Sequence, residues 1–281
     1  MTQYTEKDTI LYLDNVSVGY TDKNDHTKVN IVLKDINILE KDIVREGHAS
    51  TGRMIAILGK SGRGKSSLFK ILTGLLKPIS GKVLIPNEHG NHGNEAKEVE
   101  VGDVGFVDQK YTLFRHKTVN QILHYAMRKD KRLLPEKNAI INQYLTDWDL
   151  LEHINKYPIE MSGGSRQRVS CLEQILTSKH FMVCDEITSG LDVGAKEKVK
   201  DSINKILDLD ELNTVILATH DIEFAVSMAD SIYIIGHTEP NATHSTIVKH
   251  YDLKQMGLAW QSYGENHINL TKEIKEIIIK S

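Results

Sequence analysis

Apolar residues recur along this chain in two rhythms, and the order of the rhythms predicts the fold. Ile10 to Val18 and Ile31 to Leu39 read as strands, the second alternating around Ile36 and Ile38. Arg53 to Leu58 is a short apolar run of buried-strand type. Val83 to Pro86, Gly105 to Gln109, Phe181 to Asp185, Thr214 to Thr219 and Ser231 to Gly236 repeat that pattern. Helical spacing separates these runs. It covers Ser67 to Thr73, with Pro78 as the stop, and Ala195, Val199, Ile203 and Leu207. A longer helical stretch from Val119 to about Tyr157, carrying Ile122, Leu123, Tyr125, Ala126, Ile140, Ile141, Leu145 and Trp148, predicts a small helical lobe. Strands alternating with helices argue a largely parallel sheet with helices on its faces. Polar segments fill the gaps: a turn at Thr21 to Lys28, a charged stretch from Glu40 to Thr51, and a surface loop from Asn87 to Glu100. Near the end, Ile274, Ile277 and Ile278 predict a closing helix over Thr271 to Lys280 that packs back on the body. No internal repeat is present.

Composition narrows the class. A chain of 281 residues with 40% apolar and 26% charged residues suits one large soluble domain, or a domain with a lobe. The formal net charge of −3 comes with no basic block, so no nucleic-acid partner is expected. Cys171 and Cys184 form neither a disulfide framework nor zinc-ligand spacing, which points to a reducing cytoplasm. No apolar run is long enough to span a bilayer, and the first residues lack the basic and apolar regions of a secretion signal.

Chemistry enters at Gly59-Lys60-Ser61-Gly62-Arg63-Gly64-Lys65-Ser66, followed by Ser67. This is the spacing of a phosphate-binding loop. Glycines let backbone N–H groups close around an anionic phosphate, Lys65 reaches the β- and γ-phosphates, and the Ser66 hydroxyl holds Mg²⁺. A strand before it and a helix after it complete an anion site at a helix N-terminus. A second signal is the apolar run Phe181-Met182-Val183-Cys184 ending in Asp185-Glu186. Asp185 is placed to hold Mg²⁺, directly or through water, and Glu186 to orient or deprotonate an attacking water. A third is Met161-Ser162-Gly163-Gly164-Ser165-Arg166-Gln167-Arg168, where Ser162 caps a helix and two glycines expose its first amides. One nucleotide does not need two such termini from distant parts of one subunit. A dimer in which the second terminus faces the partner's ATP is the economical solution.

With these motifs in this order, the chain resembles the ATP-binding subunit of an ABC transporter, from about Ile10 to Gly236. The resemblance implies a P-loop NTPase of ABC type: a mainly parallel α/β core with an antiparallel β subdomain (1–108 and 177–236), a helical lobe (109–176) and an extension (237–281). It implies that Tyr20 stacks on adenine, the rival reading being a core tyrosine. Gln109 resembles the glutamine that touches Mg²⁺ and the water, and His220 the switch histidine at the γ-phosphate. Leu113-Phe114 and Thr118-Val119 resemble the region that receives an integral membrane subunit. Ser189 to Asp192 resembles the loop linking the two ATP sites. The implied activity is ATP hydrolysis coupled to transport, with ATP and Mg²⁺ bound by a homodimer or paired ATPase subunit. The implied place is cytoplasmic, on the inner face of the cell membrane. The run from Gly236 to Leu253 resembles the tail of importer subunits for nitrate, sulfonate or taurine. Four features depart from the pattern: Ser165 for glutamine, Glu173 for arginine, Ile187 for proline, and an apparent insertion at Asp42 to Ser50. The alternative is a soluble ABC-type ATPase without a membrane partner. Against it, the chain has neither the long heptad insertion of repair-type members nor the paired units of translation-type members.

Overall fold

A computed structural model of the chain describes residues 4–22, 25–45, 51–87, 96–108, 112–177 and 180–281. Its strands sort into two sheets. Strands β1 (Tyr4–Thr21) and β2 (Val29–Arg45) form a long antiparallel hairpin, joined on the β1 side by β4 (Ser80–Pro86) and then β5 (Ala96–Glu98), all antiparallel. The second sheet is built around β3 (Arg53–Leu58), β6 (Val104–Val107), β7 (Phe181–Asp185), β8 (Thr214–Thr219), β9 (Ser231–Gly236) and β10 (Thr246–Asp252), in the order β10-β9-β3-β8-β7-β6. All its pairings are parallel except β10 on β9. Every residue of β3, β8 and β9 is buried, the reason their sequences read as continuous apolar runs rather than alternating ones.

Among the described residues seven α-helices flank this sheet: α1 (Lys65–Leu72), α2 (Val119–Ala126), α3 (Leu134–Asp147), α4 (Gly163–Ile175), α5 (Val193–Leu209), α6 (Ile222–Met228) and α7 (Glu265–Lys280). The two-residue period of β3 distributes its side chains among three cores. Ile55 and Ile57 pack with the β1–β2 hairpin and with Leu68, Phe69 and Leu72 of α1. Met54 points to the opposite face, where Met182, Cys184, Val215 and Leu217 meet α2 to α5. The helical lobe therefore shares one core with the sheet. Ala56 and Leu58 join Ile232 and Ile234 under α6, β10 and α7.

Several boundaries differ from those the sequence pattern predicts. The hairpin strands are longer at both ends, and Asp42 to Arg45, the first part of the apparent insertion, continue β2; residues 46–50 lie outside the described residues. Asp42 is buried and hydrogen-bonds the Ile43 amide. The expected loop from Asn87 contains β5 at Ala96–Glu98, a three-residue edge pairing too short for periodicity to reveal. Helix α1 stops at Thr73, where Gly74 at φ 71° turns the chain before Pro78 is reached. The helical stretch from Val119 is two helices and short 3-10 turns, because Leu133 is the extended N-cap at which α3 starts afresh, with Pro135 in its first turn. Strand β10 carries no apolar alternation, so periodicity does not predict it; it exists because β9 offers it an edge. The closing helix α7 begins six residues earlier than its isoleucines suggest, and it packs on α6 through buried Leu270 and Ile274.

Candidate active site

The C-terminal ends of β3, β8 and β7 lie side by side, with Leu58 paired to Thr219 and Asp185 to Ala218. In an open α/β sheet this edge is where ligands bind. Three of the sequence motifs leave the sheet here.

From β3 the chain enters the phosphate loop. A Cβ on Gly59, at φ 154°, would stand 2.4 Å from the Ile235 carbonyl oxygen, so only glycine fits. Gly62 and Gly64 adopt φ 79° and 93°, left-handed values that glycine takes without strain. Gly64 caps α1 with no side-chain bond to its first amides, which leaves those N–H groups for an external anion. Lys65 Nζ donates to the carbonyls of Gly59 at 2.8 Å and Lys60 at 3.2 Å, and lies 3.8 Å from Glu186 Oε1. Burial holds its pKa below the usual lysine value, against the pull of Glu186 and Asp185.

From β7 come the two carboxylates. Ser66 Oγ donates to Asp185 Oδ2 at 3.2 Å, which sets two hard oxygen donors side by side. Burial raises the Asp185 pKa, while the Ser66 hydrogen bond opposes the rise. No group of three or more His, Cys, Asp or Glu side chains among the described residues could hold a metal. A hydroxyl and one carboxylate fit Mg²⁺, which keeps waters and phosphate oxygens as its remaining ligands. Glu186 sits at φ 52°, a left-handed conformation a non-glycine residue adopts at a cost of about 1–3 kcal/mol. Its amide donates to the Ala218 carbonyl at 2.9 Å, and its Oε2 lies 2.6 Å from His220 Nδ1. His220 leaves β8 ahead of Asp221, whose carboxylate caps α6. Thr188 and Thr219, joined by a 3.1 Å hydroxyl contact, brace the two loops beneath.

Tyr20 reaches the site from the end of β1. Its hydroxyl lies 3.0 Å from Ser67 Oγ and the Lys70 ammonium 5.6 Å from its ring centre. At 38% exposure the ring is not a core tyrosine, so that rival reading falls. Gln109 lies outside the described residues.

Ser162, Gly163 and Gly164 occupy a separate helix terminus. Ser162 caps α4: its Oγ accepts from the Ser165 amide at 3.2 Å and donates to Ser165 Oγ at 3.0 Å. Ser165 Oγ in turn lies 3.3 Å from His153 Nε2, whose Nδ1 is 3.0 Å from Lys156 Nζ. The departure at Ser165 was the signal for this chain of contacts; nothing in the sequence flagged His153. Burial, with Lys156 and Arg168 nearby, lowers the His153 pKa and favours the neutral ring. Gly163 and Gly164 have ordinary helical backbones, and a Cβ on either would meet nothing within 4 Å. The other departures have plain accounts. Ile187 is fully buried in the shared core beside Cys184. Glu173 is half-buried, and burial raises its pKa to about 7 despite Arg128. In the linking loop, Gly190 turns at φ 71° and Asp192 caps α5.

A family model described as ABC transporter matches residues 46–189. The chain belongs to the ABC transporter family. Its relatives include the sulfate/thiosulfate import ATP-binding protein CysA of Synechocystis sp., 30% identical over 220 residues that make up 78% of this chain. The cassette spans only 58% of CysA's length. The probable ABC transporter ATP-binding protein PEB1C of Campylobacter jejuni is 34% identical over 202 residues, 72% of this chain and 79% of that one. Among solved structures, the dimeric bacterial ABC transporter cassette MJ0796 superposes with a TM-score of 0.66 at 23% identity, covering 87% of this chain and 99% of that one. The fold is thus that of an ABC cassette: a P-loop α/β core with an antiparallel sheet and with helices inserted between the phosphate loop and the carboxylate-bearing strand β7.

Proposed function

We propose that this cassette is the ATP-hydrolysing motor of a membrane transporter, working as a head-to-tail pair. The observation that carries the reading is the pair of glycines at the start of α4. Neither backbone angle nor packing within the chain demands glycine at 163 or 164. Exposed amides at a helix N-terminus, kept free of Cβ atoms, suit the close approach of an anionic group from outside the chain. In the pair, Ser162, Gly163 and Gly164 of one copy close over the triphosphate held by residues 59–67 and Tyr20 of the other. The MJ0796 cassette is a dimer, which is consistent with pairing of this one.

Within each site the division of labour follows from the geometry. The loop amides and the Lys65 ammonium neutralise the β- and γ-phosphates, and catalysis is mainly positioning and charge stabilisation. Ser66 and Asp185, with Gln109, would hold Mg²⁺, which when bound supplies charge neutralisation at the phosphates. Glu186, held against His220, orients or deprotonates the attacking water. His220 is exposed enough to meet the γ-phosphate while keeping its contact to Glu186.

Phe114, packed edge-on to Tyr125 with Arg128 over the Tyr125 ring, offers an exposed aromatic surface for an integral membrane subunit. No helix among the described residues is long and apolar enough to cross a membrane. In this reading membrane partners supply the transport path. The name of CysA favours import over export. Light scattering of Glu186→Gln with ATP and Mg²⁺ tests the shared site. A dimer is expected, and a monomer at saturating nucleotide would sink it.

A further inference from the structure

The last turn of α7 ends on the phosphate loop. Lys60 Nζ donates to the Ile279 carbonyl at 2.8 Å, and Arg63 Nη2 donates to the main-chain oxygen of Ser281 at 2.9 Å. Arg63 Nη1 lies 3.0 Å from Nε2 of His237, the residue that follows β9. Ser281 also covers Gly236, where an added Cβ would stand 2.5 Å from Ser281 Cβ. Two main-chain oxygens at the end of the described helix thus receive the cationic side chains of the loop proposed to hold the phosphates. The helix itself is fixed to the body by buried Leu270 and Ile274, and by Tyr251 donating to Glu273 at 2.6 Å.

A loop with glycines at 59, 62 and 64 is costly to order, and a ligand that must order it binds more weakly. We propose that residues 279–281 are positioning residues for the phosphate loop: by accepting from Lys60 and Arg63 they hold it in its nucleotide-receiving shape, so that docking of the α7 end and binding of Mg-ATP are coupled. Lys60 and Arg63 then serve ATP through the helix end their side chains grip, while their backbone amides face the phosphates. Coupling between two sites is reciprocal, so Mg-ATP must in turn tighten the α7 end.

The inference rests on the loop holding ATP. A double-mutant cycle separates the two. Fluorescent-ATP titration with Mg²⁺ would compare the full chain with a variant lacking residues 279–281, each with and without Lys60→Ala/Arg63→Ala. Deletion from the wild-type sequence is expected to raise Kd about tenfold while kcat stays within about twofold, and to add less than about twofold when both cations are already gone. A Kd unchanged or lowered by deletion, or an equal loss in both backgrounds, overturns the coupling and leaves ATP binding standing. A wild-type chain that binds no Mg-ATP takes both down. A second measurement needs no variant. Amide exchange of residues 276–281 in the full chain should slow on adding Mg²⁺ and a non-hydrolysable ATP analogue, and exchange that does not change overturns the proposal.

Discussion

Helices α1 and α4 both start beside glycines, in opposite circumstances. At α1 every glycine has a reason inside the chain: Gly59 faces the Ile235 carbonyl, and Gly62 and Gly64 turn through positive φ. The loop's side chains are also engaged at home, Lys65 by the Gly59 and Lys60 carbonyls and Ser66 by Asp185. At α4 the glycines have no such reason, and Ser162 stands exposed with a hydroxyl that Ser165 and His153 orient from behind. The glycines of one terminus are explained within the chain. Those of the other are explained, in the proposed reading, by a partner's nucleotide. The same local device, free amides at a positive helix end, thus reads as a ligand cradle in one place and as half of an interface in the other.

Substitutions can break that contrast, and the largest effect is expected beside the phosphate loop, where Glu186 faces Lys65. Glu186→Gln keeps the side chain's size and removes its charge. Phosphate release should fall by about a hundredfold or more with nucleotide binding intact, as for loss of a general base or water-orienting group. Near-normal turnover would show that Glu186 has no part in the reaction.

Backbone tests come next. Gly59→Ala forces a Cβ against the Ile235 carbonyl, and chemical denaturation should register a loss of about 2–3 kcal/mol. Gly164→Ala meets nothing within 4 Å and gains helix propensity, so the isolated chain should be more stable by about 0.5–1 kcal/mol. Its ATPase activity, assayed where the chain pairs, should nonetheless drop about tenfold, a loss of about 1.4 kcal/mol of transition-state stabilisation. Full activity in a stabilised Gly164→Ala chain would erase the distinction between the two termini.

The smallest effect lies further along α4. Burial raises the Glu173 pKa from its ordinary 4.5 to about 7, so the folded chain holds a proton there that the unfolded chain has lost. Its contribution to stability is present at low pH and disappears as pH rises through about 7. Glu173→Gln should flatten this slope and raise the melting temperature at pH 8 by about 2–4 °C, read by calorimetry across pH 5 to 8. A melting curve unchanged at pH 8 would mean that the charged carboxylate is solvated rather than buried.

Legibility from the sequence followed the range of the interaction. The phosphate loop, the two carboxylates and the α4 cap are local patterns, because amides, a lysine and a hydroxyl must reach one phosphate from adjacent positions. Strands β7, β8 and β9 showed their limits because burial on both faces demands unbroken apolar runs. Helix α3 was less legible, because the extended residue Leu133 and Pro135 interrupt a periodicity that continues on either side. His153 gave no sign at all, since its meaning comes from Ser165, twelve residues away and on another element.

The sequence alone determined the chemistry available here: a phosphate loop, oxygen donors for a cation, a candidate water-orienting carboxylate, and a strand–helix order that closes into an α/β sheet. Tertiary structure decided which of these meet. It put His220 against Glu186 across two strand ends, and it left Ser162 facing outward. It also brought main-chain oxygens at the end of α7 onto Lys60 and Arg63, more than two hundred residues back along the chain. The physical reason is that hydrogen bonds and burial act on distance in space. A pattern read along the chain records only those constraints that neighbours in sequence must satisfy together.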